Sequence, residues 1–223
     1  MALLGVMRER SSLNPAIAAG HSLGEYSALC AAGVLSFDDA LEIIHVRAKG
    51  MEEAQPPGTC AMAAIIGPTR DEVLEIVKSC RGEDVLEAAN FNAPDQVVVS
   101  GNLSAVNRVV ESAKTKPRTK AVLLPVSSAF HTVLMKPAQV ALSEKLASVE
   151  LRTPEFPVVA NVTGRPYPFP DGVKGLMVEQ LVNPVRWTEC VESLKQAQPE
   201  VFLEIGPGRV LNGLLRRIDR TAS

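Results

Sequence analysis

A chain of 223 residues, 46% hydrophobic and 22% charged, has the make-up of a globular protein and is long enough for one large domain or two modest ones. A formal net charge of -2, with no basic run interleaved with aromatics, gives no case for nucleic acid, and no apolar stretch approaches membrane-spanning length. Cys30, Cys60, Cys80 and Cys190 are widely spaced, and only three histidines are present to share a metal, so neither a disulfide framework nor a metal site is expected. Scattered thiols suit a reducing compartment, and residues 1–13 lack the ordered features of a signal peptide. A cytoplasmic location is the expectation.

The first informative stretch is Gly20-His21-Ser22-Leu23-Gly24. It stands between an apolar run, Ala16 to Ala19, that reads as a strand and an Ala/Leu-rich segment, Glu25 to Ala32, that reads as a helix. Gly-x-Ser-x-Gly between strand and helix is the layout of a nucleophile elbow, a turn so tight that its flanking positions are expected to lack side chains. The Leu23 backbone N–H and the helix N-terminus would then face a developing oxyanion.

Ser36-Phe37-Asp38-Asp39 is a helix start signal, and the helix it opens runs to about Ala54. Phe37, Ala40, Leu41, Ile44, Ala48 and Met51 recur at helical spacing as its expected buried stripe, with Arg47 on the shoulder. Pro56-Pro57-Gly58 ends the segment. Next come a strand at Cys60–Ile66, a helix at Thr69–Cys80, strands at Val85–Phe91 and Gln96–Ser100, a helix at Leu103–Lys114 and a strand at Lys120–Val126. This β-α-β-β-α-β order is the ferredoxin-like pattern, able to stand as an inserted subdomain.

Mixed α/β texture then returns. Helices are expected over Met135–Ala147, Val173–Leu181, Trp187–Gln196 and Val210–Ile218, and strands over Val158–Val162 and Val201–Ile205. The division predicted is 1–57 with 128–223 as one subdomain and 58–127 as the insert.

A serine nucleophile needs a base. His21 is adjacent to Ser22 and projects differently, and His45 reads as an ordinary histidine on a helix flank. His131 follows a strand directly, where a strand-end loop can deliver an imidazole to the elbow. Asp71, Asp84 and Asp95 fall in the insert, so no triad acid is evident and a Ser–His dyad is the simpler arrangement. Arg47 either snorkels to water or points into a cleft to meet an anion.

Several separate motifs, in order, carry a resemblance. They are Gly20 to Tyr26, the helix bearing Arg47, Asn90-Phe91-Asn92-Ala93-Pro94, Phe130-His131 with Leu134 to Ala138, Gln180 to Trp187, and Glu204 to Gly208. Together they resemble the malonyl-CoA:acyl carrier protein transacylase family over essentially the entire chain. The resemblance implies an α/β-hydrolase-like large subdomain with an inserted ferredoxin-like small one. It implies Ser22 as nucleophile, His131 as base, Arg47 as the grip on the malonyl carboxylate and Gln180 as the residue whose carbonyl orients the histidine. Leu23 would donate to the oxyanion, and Phe130 would exclude branched acyl groups. Malonyl-CoA and an acyl carrier protein are the implied partners, and no cofactor is needed to exchange one thioester for another.

Members of that family begin with a strand and a Gly-Gln-Gly loop that supplies a second oxyanion donor. Here Met1 falls inside the helix before the elbow strand, and no Gly-Gln-Gly occurs. The expectation is therefore an N-terminally truncated chain, or one that has lost part of its machinery. Three rivals stay open at this point: a polyketide synthase acyltransferase domain, a catalytically impaired module that binds acyl carrier protein, and a serine hydrolase.

Overall fold

The computed structural model describes residues 1–10 and 14–222; the last three positions of the 1–13 stretch lie outside the described residues. In chain order the elements are α1 (Ala2–Arg10), β1 (Ala18–Ala19), α2 (Gly24–Ala31) and α3 (Phe37–Glu53). Then follow β2 (Cys60–Ile66), α4 (Arg70–Arg81), β3 (Leu86–Ala93), β4 (Gln96–Asn102), α5 (Leu103–Lys114) and β5 (Lys120–Leu123). The rest comprises α6 (Lys136–Ala147), β6 (Val158–Ala160), β7 (Arg165–Pro166), α7 (Val173–Glu179), α8 (Trp187–Gln196) and α9 (Val210–Ile218).

Four strands make an antiparallel sheet in the order β3-β4-β2-β5, the ferredoxin-like arrangement. Thr69 caps α4 through a reciprocal bond with Glu72, and this stops the chain from continuing as strand. Val73, Ile76, Val106 and Val109 of α4 and α5 cover one face of the sheet with Ile65, Val97 and Val99. On the other face Met62, Ala64, Ala89 and Val98 meet Leu124, Val126 and Phe130, so the sheet is buried on both sides.

The larger part is α/β-hydrolase-like. Its sheet has the order β1-β6-β7, with Ala18 and Ala19 parallel to Val158 and Val159. Leu29, Ile43, Met135, Leu142, Met177 and Leu181 pack the helices around it. The two parts are stitched together where Phe91 N–H donates to Val185 O at 2.8 Å and Val185 N–H donates to Ala89 O at 2.9 Å.

Two expectations are corrected. Val201–Ile205 is not a strand: it joins no ladder among the described residues, and Val201 is 63% exposed. The stripe of α3 is rotated by about one residue. Ala40, Ile43, Arg47 and Met51 are its buried members, while Phe37, Leu41 and Ala48 are exposed. The reason is the tight crossing of α6, where a Cβ on Gly50 would come within 3.1 Å of the Ala138 Cα. That contact turns the helix so that Arg47 points inward rather than along the shoulder.

Candidate active site

Strand β1 ends at Ala19 and helix α2 begins at Gly24, leaving four residues to reverse the chain. Ser22 takes a φ of 50°, in the left-handed region that side chains rarely adopt. A Cβ at position 20 would lie 1.9 Å from the Gly24 carbonyl oxygen, so glycine is obligatory there. Position 24 differs from the expectation: a Cβ there would meet nothing within 4 Å. Asn161, just past β6, clamps the turn from below. Its Oδ1 accepts from Ser22 N–H at 2.7 Å and its Nδ2 donates to Gly20 O at 2.8 Å.

The clamp aims the Ser22 hydroxyl at two groups. His131 Nε2 lies 2.8 Å from Ser22 Oγ, and Arg47 Nη2 donates to the same oxygen at 2.9 Å. With the guanidinium donating to Oγ, the hydroxyl proton points to the imidazole. On the far side of the ring, Nδ1–H donates to the Gln180 carbonyl at 2.8 Å, which fixes the tautomer and leaves the Nε2 lone pair facing the serine. Burial and the Arg47 charge push the His131 pKa down to about 3, so the resting imidazole is neutral. A neutral imidazole on a serine hydroxyl is a general base in position.

Arg47 is 6% exposed and makes no ion pair among the described residues. Its Nη2 also donates to Gln180 Oε1 at 3.1 Å, its guanidinium lies 5.5 Å from the centroid of the Tyr26 ring, and its Nε has no hydrogen-bond partner. A buried fork of donors with spare capacity beside a nucleophile is suited to a carboxylate.

Of the sequence-predicted site residues, Ser22, His131, Arg47 and Gln180 meet through hydrogen bonds. Leu23 is 49% exposed at the start of α2, and its N–H has no acceptor among the described residues. Phe130, half-buried beside His131, packs against both the helical core and the underside of the four-stranded sheet. Gln180, at the end of α7, contributes its side chain as well as its carbonyl: Nε2 donates to Ser22 O at 3.0 Å. His45 is exposed on α3, away from the serine. His21 turns aside, as adjacency required, to a 2.7 Å bond with Asn92 Oδ1 and a ring contact with Trp187.

Sequence reasoning missed Asn161 and the buried Glu25. A polar residue closing an apolar strand was the available signal for Asn161; for Glu25, first-turn helix position pointed to solvent. Among the described residues no cluster of His, Cys, Asp and Glu could hold a metal ion, and no helix is long and apolar enough to cross a membrane.

The acyl transferase domain family matches residues 1–221. The malonyl CoA-acyl carrier protein transacylase of Haemophilus influenzae is 42% identical over 219 residues, 98% of this chain and 70% of that protein. The protein of the same name from Escherichia coli K12 is 42% identical over 218 residues, 98% of this chain and 71% of its own. Among solved structures, the malonyl-CoA:acyl carrier protein transacylase of Xanthomonas oryzae superposes with a TM-score of 0.96 at 40% identity, over 99% of this chain and 70% of that one. A malonyl-transacylase solved in complex with a type II polyketide synthase acyl-carrier protein superposes with a TM-score of 0.95 at 42% identity, over 99% of this chain and 72% of that one.

Proposed function

The chain belongs to the malonyl-CoA:acyl carrier protein transacylase family, and on that premise we propose that it is an acyl-carrier-protein S-malonyltransferase working through an ester on Ser22. Ser22 Oγ attacks the thioester carbonyl of malonyl-CoA as its proton passes to His131 Nε2. The oxyanion forms beside the Leu23 N–H and the N-terminus of α2. Collapse breaks the C–S bond, and the CoA sulfur leaves with the proton that His131 held. The phosphopantetheine thiol of an acyl carrier protein then gives its proton to His131 and attacks the ester. Malonyl moves to the new thioester, and Ser22 takes the proton back. One thioester replaces another, with no net oxidation.

The observation that carries this reading is the meeting of His131 and Arg47 on one hydroxyl, at 2.8 and 2.9 Å. A hydrolase of uncharged esters has no use for a buried guanidinium there. In the complex, Arg47 leaves Ser22 Oγ for the malonyl carboxylate, while Phe130 limits room for a branched acyl group. We read residues 1–57 and 128–223 as the acyltransferase subdomain and 58–127 as the ferredoxin-like insert. The acyl carrier protein partner is supported by the relatives' names and by the related complex, and the setting is fatty acid biosynthesis.

A second reading is a carrier-protein-binding fragment with impaired turnover. Leu23 N–H is one oxyanion donor, the sequence has no Gly-Gln-Gly to supply a second, and losing one such donor costs about 10²–10³ in rate. Supplying malonyl-CoA with phosphopantetheinylated acyl carrier protein separates the two. Malonyl-carrier formation above the uncatalysed rate supports the transferase; carrier binding without it supports the fragment.

A further inference from the structure

The Ser–His–Arg site leaves one charged group unassigned. Glu25, in the first turn of α2, is 1% exposed, yet it belongs to a residue type that is seldom fully buried unless paired. Its Oε2 accepts from Gln180 Nε2 at 2.5 Å and from Asn161 N–H at 3.3 Å, and its Oε1 accepts from the Tyr167 hydroxyl. Among the described residues three donors and no acceptor converge on it, an arrangement that a carboxylate satisfies.

Gln180 is the hub that links this carboxylate to the chemistry. Its amide nitrogen is committed to Glu25 and to the Ser22 carbonyl, so its Oε1 must face Arg47 Nη2. Rotating that amide by half a turn would set its NH2 against the guanidinium and leave a buried oxygen facing the carboxylate. The Glu25 carboxylate and the Ser22 carbonyl both oppose the turn, and of these two acceptors only Glu25 is a side chain that substitution can remove. The Gln180 backbone carbonyl meanwhile holds His131 Nδ1–H. Asn161, another of the three donors to Glu25, holds the Ser22 N–H.

We propose that Glu25 is a positioning residue for acyl selectivity: it fixes the sense of the Gln180 amide, and the amide in turn aims Arg47 at the acyl carboxylate. The inference rests on the malonyl-transfer reading. It does not require Glu25 to touch substrate. The Gln180 amide thus bridges Glu25 to Arg47, which makes no ion pair of its own among the described residues.

The test compares the rates of Ser22 acylation by malonyl-CoA and acetyl-CoA in folded variants. Glu25→Leu removes the acceptor, and Glu25→Asp keeps the charge but withdraws it by one methylene. In both, the malonyl-to-acetyl ratio should fall by about tenfold or more. Glu25→Gln can keep its oxygen on Gln180 by donating its NH2 to a rotated Tyr167 hydroxyl, so it should hold the ratio within about threefold. A role in packing alone would lower melting temperature and soluble yield in the first two variants and leave the ratio of the folded fraction untouched. A wild-type ratio in folded Glu25→Asp or Glu25→Leu overturns the proposal. If Leu fails to fold, the Asp variant decides. A wild-type protein that shows no malonyl acylation at all overturns the functional reading, and this proposal with it, before any variant is compared.

Discussion

Ser22 and His131 lie 109 residues apart in sequence, yet they face each other at 2.8 Å with both backbones in the left-handed region, φ 50° and 61°. Each such residue costs on the order of 1–3 kcal/mol and persists only where its surroundings over-determine it. Asn161 does this for the serine, and the Gln180 carbonyl helps to do it for the histidine. Backbone strain at both ends of one hydrogen bond is the physical signature of the site.

That strain is measurable at Ser22. Replacement by Ala or by Gly removes the hydroxyl in either case and should abolish acylation in both. The Gly variant relieves the positive φ and should be the more stable of the two by about 1 kcal/mol. Denaturant melts of the pair decide it, and equal stability would show that the elbow is unstrained.

The two elbow glycines should not behave alike. Gly20→Ala drives a Cβ into the Gly24 carbonyl and should unfold the elbow or the protein. Gly24→Ala enters open space and should fold with near wild-type stability. Soluble yield and thermal melting of the two variants are the measurements; a benign Gly20→Ala would mean that the turn is looser than described.

Arg47 should matter to the acyl group rather than to the nucleophile. Arg47→Ala is expected to lose about 2–5 kcal/mol in malonyl transfer, with a much smaller effect on acetyl transfer. Arg47→Lys should recover little, because a point charge cannot reproduce the planar fork. Equal losses for both acyl groups would make the arginine structural.

The acid sensitivity of folding carries the mark of His131. Its folded pKa is pushed down, to about 3, so below the unfolded value of about 6.5 the unfolded chain binds the proton and the native site does not. The stability due to the buried neutral ring is therefore complete above about 6.5 and is lost as pH falls toward 3. Between pH 7.5 and 5.5 the wild-type protein should lose about 1 kcal/mol more than His131→Gln. Glu25, whose carboxyl burial pushes up to about 7, titrates in both proteins and cancels in the comparison. Parallel pH profiles would contradict the buried neutral histidine.

How much of this was legible in the sequence follows from the range of each interaction. The elbow could be read because Gly20 and Ser22 answer to a turn only a few residues long, and α4 because Thr69 and Glu72 cap it locally. The four-stranded sheet followed from strand and helix periods set between turns. Arg47 was placed near the site, but its inward direction depended on α6 crossing at Gly50, which no helical period reports. The clamp of Asn161 on Ser22 spans 139 residues and the bond of Glu25 to Gln180 spans 155, so neither partner can be paired by spacing. Val201–Ile205 has a strand's composition but joins no ladder among the described residues, and composition does not supply one.

The central claim is that Ser22, activated by His131, takes up malonyl as an ester, and peptide mapping of the acylated protein tests it most directly. After incubation with malonyl-CoA, intact mass should show one added malonyl group, and digestion should place it on the peptide containing Ser22. Ser22→Ala should carry none, and His131→Ala should acquire it far more slowly. Undiminished labelling of Ser22→Ala, or a malonyl group mapped to any other residue, would contradict the account.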